Sequence, residues 1–183
     1  IFLDTPDPYF DDDFSLFGLK LNYNKLKWYK DLNNFLFEVE KEFACRIIII
    51  PHPKVKGFKN PYYDKKFEVN NDIDAVHKLI PESKIVVSQG ASTAIGIAIA
   101  CKKRVILTYN EQVKRFNFKL IERIKFIAKK SGANCINLNN YDKKNLIKDI
   151  DKQKYNKYFY DYISSKKISK KKNYEILNEV IYE

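Results

Sequence analysis

The 183-residue sequence has no methionine, one tryptophan, two histidines and five glycines. It lacks both the Gly-x-Gly-x-x-Gly fingerprint of dinucleotide binders and the glycine-rich loop with the Walker lysine. No apolar run approaches the roughly 20 residues of a membrane span. The longest aliphatic run, Ile47 to Ile50, is strand-sized, so a soluble, cytoplasmic chain is expected. Cys45, Cys101 and Cys135 are odd in number and far apart. That is neither a zinc pattern nor a disulfide framework, and it predicts three unpaired thiols in a reducing compartment. No secretory leader is expected from its sequence. With no methionine and a chain that starts in an apparent strand, we expect a piece of a longer protein whose preceding part is absent. The nearest thing to a metal site is Asp11-Asp12-Asp13, and consecutive acids in a loop are more often solvated than ligating. No metal is expected.

What is present suffices for one sizeable core, since 45% of the residues are hydrophobic. The formal charge of +11 is uneven: residues 1–110 carry a net +2 and residues 111–183 a net +9. The basic run Lys166 to Lys172 is a candidate solvated face that can also attract anionic lipid headgroups or nucleic acid. The richness in Lys, Asn, Ile and Tyr resembles an AT-rich genomic bias, which weakens a functional reading of the lysines.

Alternating strand and helix signals run along the chain. Ile1-Phe2-Leu3 reads as a short strand stopped by Pro6 and Pro8. Lys25 to Phe43 places Leu26, Tyr29, Leu32, Phe35, Leu36, Val39 and Phe43 at three-and-four spacing, which predicts an amphipathic helix. Arg46 to Ile50 is continuously apolar after its arginine, as a strand buried on both faces would be. A short strand at 66–69 and a short helix from Asp72 to Leu79 follow. Then come a strand at 84–87, a small-residue helix from Ser92 to Cys101, and a strand from Arg104 to Thr108. Asn110 reads as the cap of one long helix reaching Lys130 and ended by Gly132. Asn134 to Leu138 reads as a weaker strand, Tyr141 to Ile150 as a helix, and residues 151–183 as a basic, helical extension. The pattern is α/β: a Rossmann-like open parallel sheet with helices on both faces. Residues 1–150 form the expected Rossmann-like domain, with 151–183 an extension of it.

The stretch Lys84 to Gly96 organises the chain. The β-branched strand Ile85-Val86-Val87 breaks at Ser88-Gln89-Gly90-Ala91, where glycine permits a conformation closed to other residues. Ser92 or Thr93 then caps a helix whose free N–H groups suit an anion, phosphate above all. An ordinary capped turn would look the same. A second feature, His52 held between Pro51 and Pro53 and followed by Lys54, ends another strand. In an open parallel sheet both features lie at the carboxyl edge, where ligands bind. Asn110 and Glu111, past the next strand, can reach a ribose or simply cap the following helix. His77, on a short helix, has no partner motif.

Phe2-Leu3-Asp4 with Pro8, the helix Trp28-Tyr29 to Phe43, Ile50 to Lys54, and Ser88 to Thr93 together resemble bacterial surface-carbohydrate glycosyltransferases. They are similar to the C-terminal domain of GT-B-fold enzymes that assemble capsule, lipooligosaccharide or teichoic-acid polymers, among them sialyltransferases and polymer glycerophosphotransferases with His-Pro and Ser-Ser/Thr motifs. The likeness spans roughly residues 1–140, and it departs at Tyr9-Phe10, where relatives tend to be polar. It implies one half of a GT-B fold. His52, Pro53, Lys54, Ser88, Gly90, Ser92, Thr93, Asn110 and Glu111 would hold the nucleotide and phosphate of a CMP-, CDP- or UDP-linked sugar. His52 would be catalytic, stabilising or protonating the departing phosphate without a metal or other cofactor. The implied partners are the sugar donor, a glycan or glycolipid acceptor, an N-terminal domain that supplies the acceptor site, and peripheral contact with an anionic inner-membrane face. Nucleic acid is not the expected partner. Two other readings stay open: a sugar-nucleotide epimerase or hydrolase on the same fold, and a non-catalytic anion- or nucleic-acid-binding domain.

Overall fold

Strands without polar alternation need cover on both faces. The computed structural model describes residues 1–5, 23–55, 57, 59–115, 118–146, 148–166, 170–172 and 174–176. In chain order its elements are β1 (Phe2–Leu3), α1 (Lys25–Phe43), β2 (Ile48–Ile50), β3 (Glu68–Val69), α2 (Ala75–Leu79), β4 (Ile85–Gln89), α3 (Ala94–Ala100), β5 (Arg104–Tyr109), α4 (Phe118–Ser131), β6 (Asn134–Asn137) and α5 (Lys152–Tyr162). The strands form one sheet in the order β3-β2-β1-β4-β5-β6. Every pairing is parallel. This is the Rossmann-like open α/β sheet that the sequence predicts.

Alternate strand residues feed two cores. Phe2, Ile49, Ile85, Val87 and Ile106 pack beneath α1, with Trp28, Leu32, Phe35, Leu36 and Val39. Leu3, Ile50, Val86, Val105 and Leu107 pack on the opposite face against residues of α2, α3, α4 and α5. The chain leaves β1 toward β2 in one direction and β4 toward β5 in the other. Right-handed crossovers therefore put their helices on opposite faces. A crevice opens at the carboxyl ends of β1 and β4, where the two directions part.

Helix α1 has the predicted bounds. The Asn24 side chain accepts the Lys27 N–H at 2.9 Å at its start. Its last turn closes on Ala44, which adopts a left-handed conformation with φ 44°. Leu26, placed in the apolar stripe by spacing, is 73% exposed while Trp28 and Tyr29 are buried, because it lies about 120° round the helix from Leu32 at the centre of the buried face. Gly132, with φ +78°, ends α4 as expected, and its N–H donates to the Ala128 carbonyl.

Elsewhere the boundaries shift for local reasons. Arg46 and Ile47 precede β2, and β4 runs on through Ser88 and Gln89. The segment 72–74 is not helical: Asp72 Oδ1 accepts the Asp74 N–H, an Asx turn that competes with helix formation. The expected helix from Asn110 is divided into a 3₁₀ turn, Glu111–Arg115, and α4. No helix spans Tyr141 to Ile150, only a 3₁₀ turn at Lys143–Asn145. Its anchors, half-buried Tyr141 and buried Leu146, are five positions apart. At about 100° per residue a helix would point them some 140° apart. Helix α5 packs on the second core through Tyr155, whose hydroxyl donates to the Lys103 carbonyl at 3.0 Å. The three cysteines are unpaired. No helix among the described residues is long and apolar enough to cross a membrane. Asp11-Asp12-Asp13, Tyr9-Phe10 and residues 167–169 of the basic run lie outside the described residues.

Candidate functional site

The crevice between β1 and β4 contains a cleft of about 340 Å³. β1 delivers Asp4 and Thr5 to it, β2 delivers His52, and β4 delivers Gln89 to Thr93. β5 delivers Thr108, Tyr109 and Asn110, α1 adds Trp28, and Val113, Leu120 and Ile124 supply apolar walls. The β1 and β4 loops nearly touch. Gly90 has φ +111°, and a Cβ there would lie 3.2 Å from Thr5 Cγ2. Glycine is required at this turn both for its backbone conformation and for the close approach.

Asp4 is the principal site residue that the sequence reading did not single out. It follows the central strand directly and is 8% exposed. Burial pushes its carboxyl up to about 7, while the adjacent Tyr63 side chain and the Thr5 N–H, which donates to Oδ1 at 2.7 Å, pull it down. Tyr63 is itself raised well above the phenolic range by burial and by the neighbouring Asp4. Its hydroxyl completes no well-formed hydrogen bond. Asp4 and Thr5 also line a second, larger cavity of about 740 Å³ that extends under Pro51, Tyr63 and Phe67 toward β3. The available sequence signal was a lone carboxylate immediately after a buried apolar strand.

Of the predicted residues, His52, Gly90, Ser92, Thr93 and Asn110 meet in the cleft. His52 Nδ1 accepts the Lys54 N–H at 3.2 Å, so a neutral imidazole carries its proton on Nε2. Ser92 Oγ accepts the Ala94 N–H at 3.2 Å, while the Ile95 and Gly96 N–H groups donate to the Ser92 and Thr93 carbonyls. The turn thus satisfies the first amides of α3 itself. Thr93 occupies the cap position without a side-chain cap bond.

Pro53, Lys54, Ser88 and Glu111 do not line the cleft. Pro53 and Lys54 form an exposed 3₁₀ turn with Val55. Ser88 is inside β4 and fully buried. Glu111 is drawn toward the loop after β6, where Oε1 accepts Asn137 Nδ2 at 3.0 Å and its own N–H donates to Asn139 Oδ1 at 2.7 Å. His77 lies on α2, away from this edge. Asn110 does cap, through Oδ1 accepting the Gln112 N–H at 3.0 Å, and it also walls the cleft. Among the described residues no group of three His, Cys, Asp or Glu side chains is arranged to hold a metal ion.

Comparison with protein-family models, with curated proteins and with solved structures finds no match to this chain.

Proposed function

We propose that the crevice binds the nucleotide part of an activated sugar donor, CMP-, CDP- or UDP-linked, for glycosyl transfer in bacterial surface-polysaccharide biosynthesis. The observation that carries this reading is the convergence of His52, Ser92, Thr93 and Asn110, with Asp4, in one cleft at the reversal point of a parallel sheet. Open α/β sheets bind ligands at that point. The resemblance in the His-Pro and Ser-x-Gly-x-Ser-Thr segments supplies the finer identity. In the mechanism, negative charge grows on the departing phosphate oxygen as the sugar bond breaks. The His52 Nε2 proton and the Ser92 and Thr93 hydroxyls stabilise it where it develops. Asp4 is compatible with a bound phosphate in its protonated form, which its raised pKa makes accessible near neutrality. The acceptor is a glycan or glycolipid, a second Rossmann-like half completes the site, and the basic C-terminal part lies against an anionic membrane surface.

Calorimetric titration with CMP, CDP, UDP and inorganic phosphate tests the reading. At least one nucleotide should bind more tightly than phosphate, and no binding by any nucleotide would overturn it. One observation favours a sugar-nucleotide epimerase or hydrolase on the same cleft: Asp4 provides an acid–base carboxyl of suitable pKa beside His52. Release or epimerisation of the sugar with no acceptor present would select that reaction.

A further inference from the structure

Two side chains in the cleft wall hold N–H donors that nothing among the described residues accepts. Trp28, on α1, is 1% exposed, and Asn110, after β5, is 0% exposed. Both line the cleft, and among the described residues neither Trp28 Nε1 nor Asn110 Nδ2 has a hydrogen-bond partner. Asn110 cannot relieve this by turning its amide over, because Oδ1 is engaged by the Gln112 N–H. An indole N–H can only donate. Buried donors are nearly always paired in folded proteins, and an exception calls for a group that completes them.

The missing complement is therefore a group rich in acceptors. Its charge follows from the lining: no lysine or arginine is found among the described residues of this cleft, and Asp4 shares the wall. That environment disfavours a phosphate or carboxylate at this depth and favours a neutral acceptor. Its shape follows from Val113, Leu120 and Ile124, which offer apolar contact suited to a flat ring.

We propose that Trp28 Nε1 and Asn110 Nδ2 bind the nucleobase of the ligand through its ring carbonyl and ring-nitrogen acceptors, leaving the phosphate toward His52, Ser92 and Thr93. This rests on the nucleotide reading above and extends it to a base site with named donors. It gives Trp28, which packs in the core with Leu32 and Phe35, a second role at the end of that core.

Trp28 is the only tryptophan in the chain, so a ¹⁵N-labelled sample gives one indole N–H signal, assigned by composition. The chain would be titrated with cytidine, with uridine and with inorganic phosphate. A nucleoside should shift the indole signal, whereas phosphate should move backbone amides of residues 90–93 and leave the indole in place. Asn110→Asp keeps the oxygen that accepts from Gln112 and removes the donor; it should weaken nucleoside binding about tenfold. A nucleoside that shifts the crevice amides but not the indole overturns the base site and leaves the nucleotide reading standing. Equal nucleoside affinity in Asn110→Asp likewise overturns the role of Asn110. No response to any of the three probes removes both. The wild-type indole signal decides even if the variant fails to fold.

Discussion

Gly90 and Thr5 approach so closely across the crevice that a methyl group added to the glycine would lie 3.2 Å from Thr5 Cγ2 and press it aside by a few tenths of an ångström. Gly90→Ala would combine a strained backbone with that contact. The expected loss is about 1–3 kcal/mol, read from urea unfolding, together with weaker nucleotide binding. A variant as stable as the wild type would show that the turn can relax without the glycine.

Asp4 makes stability depend on pH with a sign opposite to that of an ordinary salt-bridged carboxylate. Its folded-state pKa is raised from 3.8 to about 7, so the fold favours the protonated form. The contribution is fully present below pH 3.8 and is lost as pH rises through 7. Asp4→Asn, which cannot ionise, should gain on the wild type across that window, by at most about 4 kcal/mol. Denaturant midpoints for both proteins between pH 4 and 8 measure it. Parallel curves would contradict the burial of the carboxyl.

His52→Ala tests the rim of the cleft. Losing one preorganised donor costs about 2.7–4 kcal/mol of transition-state stabilisation where turnover occurs. The thermal midpoint should hardly move, because His52 is half-buried in a loop after β2 and contributes little core. A variant that unfolds readily while its folded fraction turns over normally would make His52 a structural residue.

Helix α1 offers a paired test of packing. Leu32 is fully buried beneath the sheet, whereas Leu26 is mostly exposed. Leu32→Ala should cost about 2–5 kcal/mol, and Leu26→Lys should stay within about 0.5 kcal/mol. Comparable losses in chemical denaturation would mean that the first turn of the helix is covered in solution.

The features that could be read from sequence were those set by short-range periodicity. The bounds of α1 follow from three-and-four spacing and the Asn24 cap, and the parallel sheet follows from unbroken apolar strands. The turn at Gly132 is legible because glycine tolerates a positive φ. The Tyr141 to Ile150 segment misled because its composition suits a helix while its two anchors do not share a face. At the site, His52 and the Ser92-Thr93 turn were legible as strand-end punctuation. Asp4 was not recognised, because its raised pKa comes from a burial that only the folded chain creates. Trp28 entered only as part of the helix in the resemblance, because nothing local in the sequence shows that its end of that helix reaches the crevice. Glu111 looked equivalent to its neighbour Asn110 until Asn137 and Asn139 drew it away.

The middle position of β1 has a temporal consequence. Phe2 pairs with Ile49 on one side and Val87 on the other, so the strand that emerges first during synthesis waits longest for its second neighbour. β4, β5 and β6 have contiguous partners and can zip together in sequence, but the two wings of the sheet join only when this short strand is captured between them. Chain closure over such separations slows folding. Until that capture, β2 and β4 each carry an open apolar edge, and the crevice with its candidate site has not yet come into being.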